Sequence, residues 1–311
     1  MNQEDQKYKI IDTHIHWVDF LQNTDGLWEL LKNMDSLSLD KAVIFGLPVK
    51  KKWAYHDQKQ PSYYLDGYST CFYYSLTDEL LAQAYLALPP DQQKRLSPLI
   101  CGFNPTDMSS IDYLEMMYEK YPIWKGVGEL LLRHDELSTL TNDELPRINH
   151  PALKPILDFC QRKKLPVLIH HNSSSIGYEN DFVYLHEMKE VLEQYPELKL
   201  IWAHCGASRR TMNGQFHRMI GDLMRENTNV FADISWIVYD EEVCYSGEPR
   251  MEWIEVLQEF PDRFMIGSDV FGHFEDIKTK LDRYHVLLDR LDPAAAQKLA
   301  WQNGAKMFFG D

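Results

Sequence analysis

Ile10-Ile11-Asp12-Thr13-His14-Ile15-His16 is a short apolar run near the N-terminus that carries two imidazoles one residue apart. Side chains of a strand alternate between its faces, so a strand here sends His14 and His16 to the same side, with Asp12 one pleat deeper. One metal ion can take both rings. With 12 His among 311 residues a His-x-His triplet also arises by chance, so its meaning depends on what the rest of the chain presents.

Other short apolar or β-branched runs follow, each succeeded by a stretch of helical periodicity. Strands are expected at 9–13, 41–47, 97–103, 124–131, 166–170, 199–203, 230–234 and 264–267. Amphipathic helices are expected at 25–34, 111–120, 151–164, 181–195, 214–226, 251–260 and 275–291, with a last one at 293–309 packed on the outside. Pro151 suits a first helical turn, and Asn149 or His150 could cap it. Eight βα units imply an α/β fold, a single (β/α)8 TIM barrel over residues 1–311 with a C-terminal extra helix; a doubly wound sheet is the alternative. Residues 49–75 break the rhythm with Trp53, Tyr55, His56, Tyr63, Tyr64, Tyr68, Phe72, Tyr73 and Tyr74. They read as a long aromatic loop after strand 2, either lying over the barrel mouth or packing on the surface or a neighbouring subunit.

Composition narrows the function classes. A hydrophobic content of 44% with 13% aromatics can bury a large core. No apolar run reaches the length of a membrane span, and residues 1–9 are polar where a secretory leader would be apolar, so a soluble cytoplasmic protein is expected. Five Cys with no Cys-x-x-Cys pair suit reduced thiols rather than disulfides or a thiolate zinc knot. The net charge of −15 argues against nucleic acid or an anionic membrane as partner, and solubility explains the same acidity. A homodimer is the default if the chain self-associates.

A barrel places functional groups at the C-terminal ends of its strands. His14 and His16 end the first strand, Glu129 lies on the fourth, His170 ends the fifth, His204 the sixth and Asp269 the eighth. Four His and two carboxylates suit a divalent metal, with Zn²⁺ first and Mn²⁺, Fe²⁺ or Ni²⁺ behind it, as one or two ions. His170 rather than His171 faces the axis, because neighbours in a strand point to opposite faces. Lys125 and Glu129 share parity, and Glu129 lies nearer the strand's C-terminal end. Arg209 and Arg210 could present a guanidinium to an anionic substrate group. His134, His273 and Asp233 fall near strand ends as supporting candidates, His273 also as a substrate contact, and Asn303 is expected to tie the last helix to the barrel.

These motifs together resemble the amidohydrolase superfamily, specifically its amidohydrolase-related branch of metal-dependent TIM-barrel hydrolases. The resemblance runs through the His-x-His strand, Asn149-His150-Pro151-Ala152-Leu153, Leu165 to His170, Ala203-His204-Cys205-Gly206, Gly267-Ser268-Asp269 and Trp301-Gln302-Asn303-Gly304-Ala305. It implies metal ligation by His14, His16, His170 and Asp269, with His204 on a second metal or polarising the substrate. Some relatives place a carboxylated Lys on the fourth strand, and TatD-like nucleases a Glu that resembles Gly128-Glu129. The implied activity is hydrolysis of a small-molecule amide, ester or lactone, with Asp269 and His204 as catalytic groups. The alternatives are decarboxylation or hydration of a carboxylated substrate, a TatD-like phosphoesterase, and a barrel without catalysis.

Overall fold

The computed structural model describes residues 7–37, 39–53, 59, 70–134, 137, 138, 141, 144–178 and 180–310. Eight parallel strand positions form one sheet: β1 (Ile10–His16), β2 (Leu39–Phe45), β3 (Leu96–Ile100), β4 (Gly126–Leu132), β5 (Val167–His171), β6 (Leu200–Trp202), β7 (Val230–Asp233) and β8 (Phe264–Met265). Each pairs with its sequence neighbour. The ring closes through the chain just past β8, where Val270 and Phe271 pair with Ile15 and His16 of β1. Between these pairings, the Thr13 N–H donates to Ile266 O and the Asp269 N–H to His14 O.

Every expected strand is present to within a few residues, because each is a run of apolar or β-branched side chains buried on both faces. Helices follow at Leu27–Ser36, Ser110–Lys120, Leu153–Lys163, Leu185–Gln194, Phe216–Glu226 and Met251–Glu259. His150 closes the entry to the helix Leu153–Lys163, its Nδ1 accepting the Ala152 N–H at 3.2 Å. The helix expected at 275–291 is two shorter ones, Ile277–Asp282 and Tyr284–Leu288. Leu76–Leu86 is a helix that the periodicity does not reveal, since Leu76 and Leu86 remain exposed while Leu81, Ala82 and Tyr85 are buried. Within the aromatic segment, Val49–Lys51 and Cys71–Tyr73 form an antiparallel ribbon; residues 54–58 and 60–69 lie outside the described residues.

A small cluster of Val43, Phe45, Leu99, Cys101, Leu168, Ile201, Ala203 and Met265 fills the ring. Phe308, from the last helical segment, packs into this cluster, so that segment seals an end of the barrel instead of lying wholly outside. Asn303 ties it there by donating to Pro261 O and Phe264 O at 2.8 and 2.7 Å. The site occupies the opposite end, where the strands deliver their C-terminal residues.

Candidate metal centre

The carboxylate of Glu129 lies at the middle of the ring of imidazoles. Its Oε1 is 3.6 Å from His14 Nε2, 3.4 Å from His170 Nδ1 and 3.5 Å from His204 Nε2. Its Oε2 is 3.2 Å from His16 Nε2, and Asp269 Oδ1 approaches His14 Nε2 and His16 Nε2 at 3.3 and 3.7 Å. All of these side chains are buried. The candidate ligands therefore converge from β1, β4, β5 and the turns after β6 and β8.

The far nitrogen of each ring is anchored, which fixes the tautomer. His14 Nδ1 donates to Asp233 Oδ2 at 3.1 Å and His16 Nδ1 to Gly46 O at 2.9 Å. His170 Nε2 donates to Asn172 Oδ1 at 3.0 Å. His204 Nδ1 donates to Ser235 Oγ at 2.9 Å, and that hydroxyl donates to Asp233 Oδ1. Each ring thus turns a lone pair toward Glu129. His14 Nε2, Glu129 Oε1 and Asp269 Oδ1 have no hydrogen-bond partner among the described residues. Lone pairs and carboxylate oxygens crowded in this way repel one another unless a positive charge stands between them.

The electrostatics carry the same demand. Burial disfavours a charged His14, but the Glu129 and Asp233 carboxylates outweigh it and hold the ring well above the usual imidazole range. Burial likewise opposes ionisation of Glu129, and the surrounding imidazoles, His14 foremost, pull it well below the usual carboxylate range. Asp233 is brought down to about 2 against its burial, by His14, His204 and Ser235. A proton on His14 occupies the position that a metal cation would take. The nitrogen and oxygen donors fit a borderline divalent metal held by His14, His16, Glu129, His170, His204 and Asp269; two overlapping subsets, His14–His16–Asp269 and His14–Glu129–His204, bring their atoms within 4.8 Å of one another.

Local backbone makes this convergence possible. Gly128 has φ of 136°, and a Cβ there would meet Leu168 O at 2.2 Å, so only glycine lets β4 lie close enough to β5 to hold Glu129 inside. Gly267 is equally constrained, since its Cβ would fall 2.5 Å from that of His14. His204, Trp236 and Asp269 are left-handed at φ of 54°, 59° and 53°, a conformation costly for non-glycine residues and concentrated here around one site.

A cavity of about 270 Å³ opens onto the centre. Its wall includes His16, Glu129, His134, His170, His204 and Asp269, with Phe20, Trp236 and Phe271 as aromatic faces and Arg209 and Lys280 as cations. Of the substrate contacts expected from sequence, the wall carries Arg209. Arg210 is exposed outside it, and His273 is drawn to the surface by Asp25 and Asp19 at 2.8 and 3.6 Å. Lys125 is exposed ahead of β4, leaving Glu129 as the fourth-strand group. Arg133 pairs with Glu187 rather than Glu129. His171 points outward and meets Glu187 Oε2 at 3.0 Å. Asp12 takes the N–H groups of His14 and Ser268, both at 3.0 Å, and burial raises its carboxyl to about 6. Ser235, Asn172, Trp236 and Lys280 carry no motif that sequence reading could seize on; their positions come from folding alone.

Residues 125–310 match the amidohydrolase family profile, more than half of the chain, and the chain belongs to that family. No curated protein matches it by sequence. Its fold is that of an uncharacterised TIM-barrel protein from Bordetella bronchiseptica, with a TM-score of 0.60 at 14% identity over 96% of this chain and 98% of that one. A probable 2-pyrone-4,6-dicarboxylic acid hydrolase from Acinetobacter baumannii, with citric acid bound, aligns with a TM-score of 0.58 at 15% identity over 96% and 99%. A zinc-bound amidohydrolase from Burkholderia multivorans gives 0.55 at 13% over 96% and 99%. No helix among the described residues is long and apolar enough to cross a membrane.

Proposed function

We propose that this chain is a metal-dependent hydrolase that cleaves an amide, ester or lactone bond of a small molecule, residues 1–311 forming one catalytic domain. The observation that carries this reading is the convergence of four anchored imidazoles and two carboxylates on unpartnered atoms at the cavity floor. The neighbours described as hydrolases and amidohydrolases support it as analogy.

A divalent cation held by these residues supplies an acidified water at neutral pH and polarises a carbonyl, with zinc the first candidate. Asp269 borders both the donor cluster and the cavity, so its carboxylate can take a proton from the attacking water and return it to the leaving group. His204 is held by Ser235 with its Nε2 inward, beside the substrate space, where it can orient a polarised oxygen. Phe20, Trp236 and Phe271 exclude water around the substrate body.

Arg209 and Lys280 on the same wall favour a substrate bearing an anionic group, and they support a second reading, decarboxylation or hydration of a carboxylated molecule. The test is a panel of lactones, esters, amides and aromatic acids given to metal-loaded protein. We expect hydrolysis that disappears in Asp269→Asn with metal retained. Intact turnover in that variant would remove Asp269 from its role, and release of CO₂ without hydrolysis would favour the lyase.

A further inference from the structure

The helix Ile277–Asp282 carries two lysines in different surroundings. Lys278 pairs with Asp282 on the exposed face. Lys280 is half-buried and borders the cavity over the metal centre. Its direction follows from its helical neighbours, since residues three and four apart share a face. Ile277, three residues before it, is buried. Arg283, three residues after it and with helical backbone angles, donates to Trp236 O at 3.3 Å and pairs with Asp240. Tyr284, four residues after it, is buried, and its hydroxyl meets Ile234 O and Gly267 O, both at 2.9 Å. The face that holds Lys280 is therefore the one turned to the ends of β7 and β8, beside the chain that carries Trp236 and Asp269.

Among the described residues no carboxylate stands within ion-pair distance of Lys280, in contrast to Lys278. A partly desolvated ammonium without a counter-charge has lost hydration that nothing in the protein offsets, and an anion arriving beside it restores the balance. The Glu129 and Asp269 carboxylates belong to the donor cluster, so the charge offered to a substrate comes from the wall. There Lys280 joins Arg209, whose Cζ lies 5.5 Å from the centre of the Trp236 ring. We propose that Lys280 is a specificity-determining residue of this site, its ammonium pairing with a substrate carboxylate remote from the bond that is cleaved. This rests on the hydrolase reading above and names its substrate class: small molecules with a free carboxylate beyond the scissile group. Lys280 exchanges no proton and forms no covalent bond, so its part is confined to choosing what binds.

The test is calorimetric, on metal-loaded wild-type protein, on Lys280→Met, which keeps the apolar stem, and on Lys280→Arg, which keeps the charge. The probes are the monohydroxamates of succinate, glutarate and adipate, each beside a control in which a neutral amide replaces the carboxylate. The hydroxamate head, a metal ligand, is common to probe and control. We expect wild type to bind a carboxylated probe about tenfold more tightly than its amide control, a preference lost in Lys280→Met and recovered in Lys280→Arg. Metal content and binding of the amide controls should be the same in all three proteins. No preference in wild type at any probe length would overturn the inference alone, as would a preference that survives in Lys280→Met. So would weaker binding of the amide controls in that variant, which would make Lys280 a support for the site. Wild-type protein that takes up no metal would instead overturn the hydrolase reading itself.

Discussion

Asp233 joins two of the converging rings: one carboxylate oxygen takes the His14 Nδ1 proton and the other meets the Ser235 hydroxyl that receives His204. An amide at this position offers one acceptor instead of two, so either His14 or the Ser235 relay loses its anchor. Asp233→Asn is therefore expected to weaken metal binding about ten- to a hundredfold, read by competition with a chelator of known affinity, while the fold is retained. At this scale the sequence is informative where chemistry announces itself. His14 and His16 are legible from strand parity, and Asp233 is legible as a strand-end acid. Ser235 and Asn172 are not, because a hydroxyl or amide becomes an anchor only when folding aims an imidazole at it.

β5 divides its last two residues between opposite surroundings, as strand alternation requires: His170 turns to the centre, and His171 turns to the helix Leu185–Gln194. There Glu187 accepts His171 Nε2 and the Arg133 guanidinium. Burial resists its charge, but His171 and Arg133 together bring its carboxyl down to about 2. A folded pKa below the unfolded value means that the contribution to stability is complete above about 4.3 and is lost as pH falls toward 2. Glu187→Gln should cost about 3 kcal/mol at pH 7, since the amide loses the negative charge beside Arg133 and keeps one acceptor oxygen where the carboxylate serves both the guanidinium and His171 with two. Denaturant unfolding at pH 7 and pH 3 checks both statements: the difference between wild type and variant should shrink at the lower pH. Element positions were largely legible here because the strands are apolar runs and the outer helices are amphipathic. Leu76–Leu86 was missed because its apolar residues do not keep to one face, and the long helix expected at 275–291 is interrupted at Arg283.

Across the whole molecule, the candidate ligands come from opposite parts of the ring, so a cation among them would join strands remote in the chain. A metal that binds the folded chain alone should stabilise it by about 2.7 kcal/mol at a hundredfold excess over its Kd. Thermal unfolding of metal-loaded protein should thus fall by several degrees on chelation and recover on reloading; an unchanged transition would mean that the cluster is not a metal site. By itself the sequence determined the α/β alternation, the eight strand positions, and the residues able to ligate a metal, since burial and alternation are local properties of a strand. It left open whether Lys125 or Glu129 would enter the site and which of Arg209, Arg210 and His273 would line the cavity. Tertiary structure decided these because they depend on distances between strands remote in the chain. The glycine at 128 lets β4 approach Leu168, the short segment Val270–Phe271 closes the ring on β1, and Phe308 seals the barrel interior from the far end of the chain.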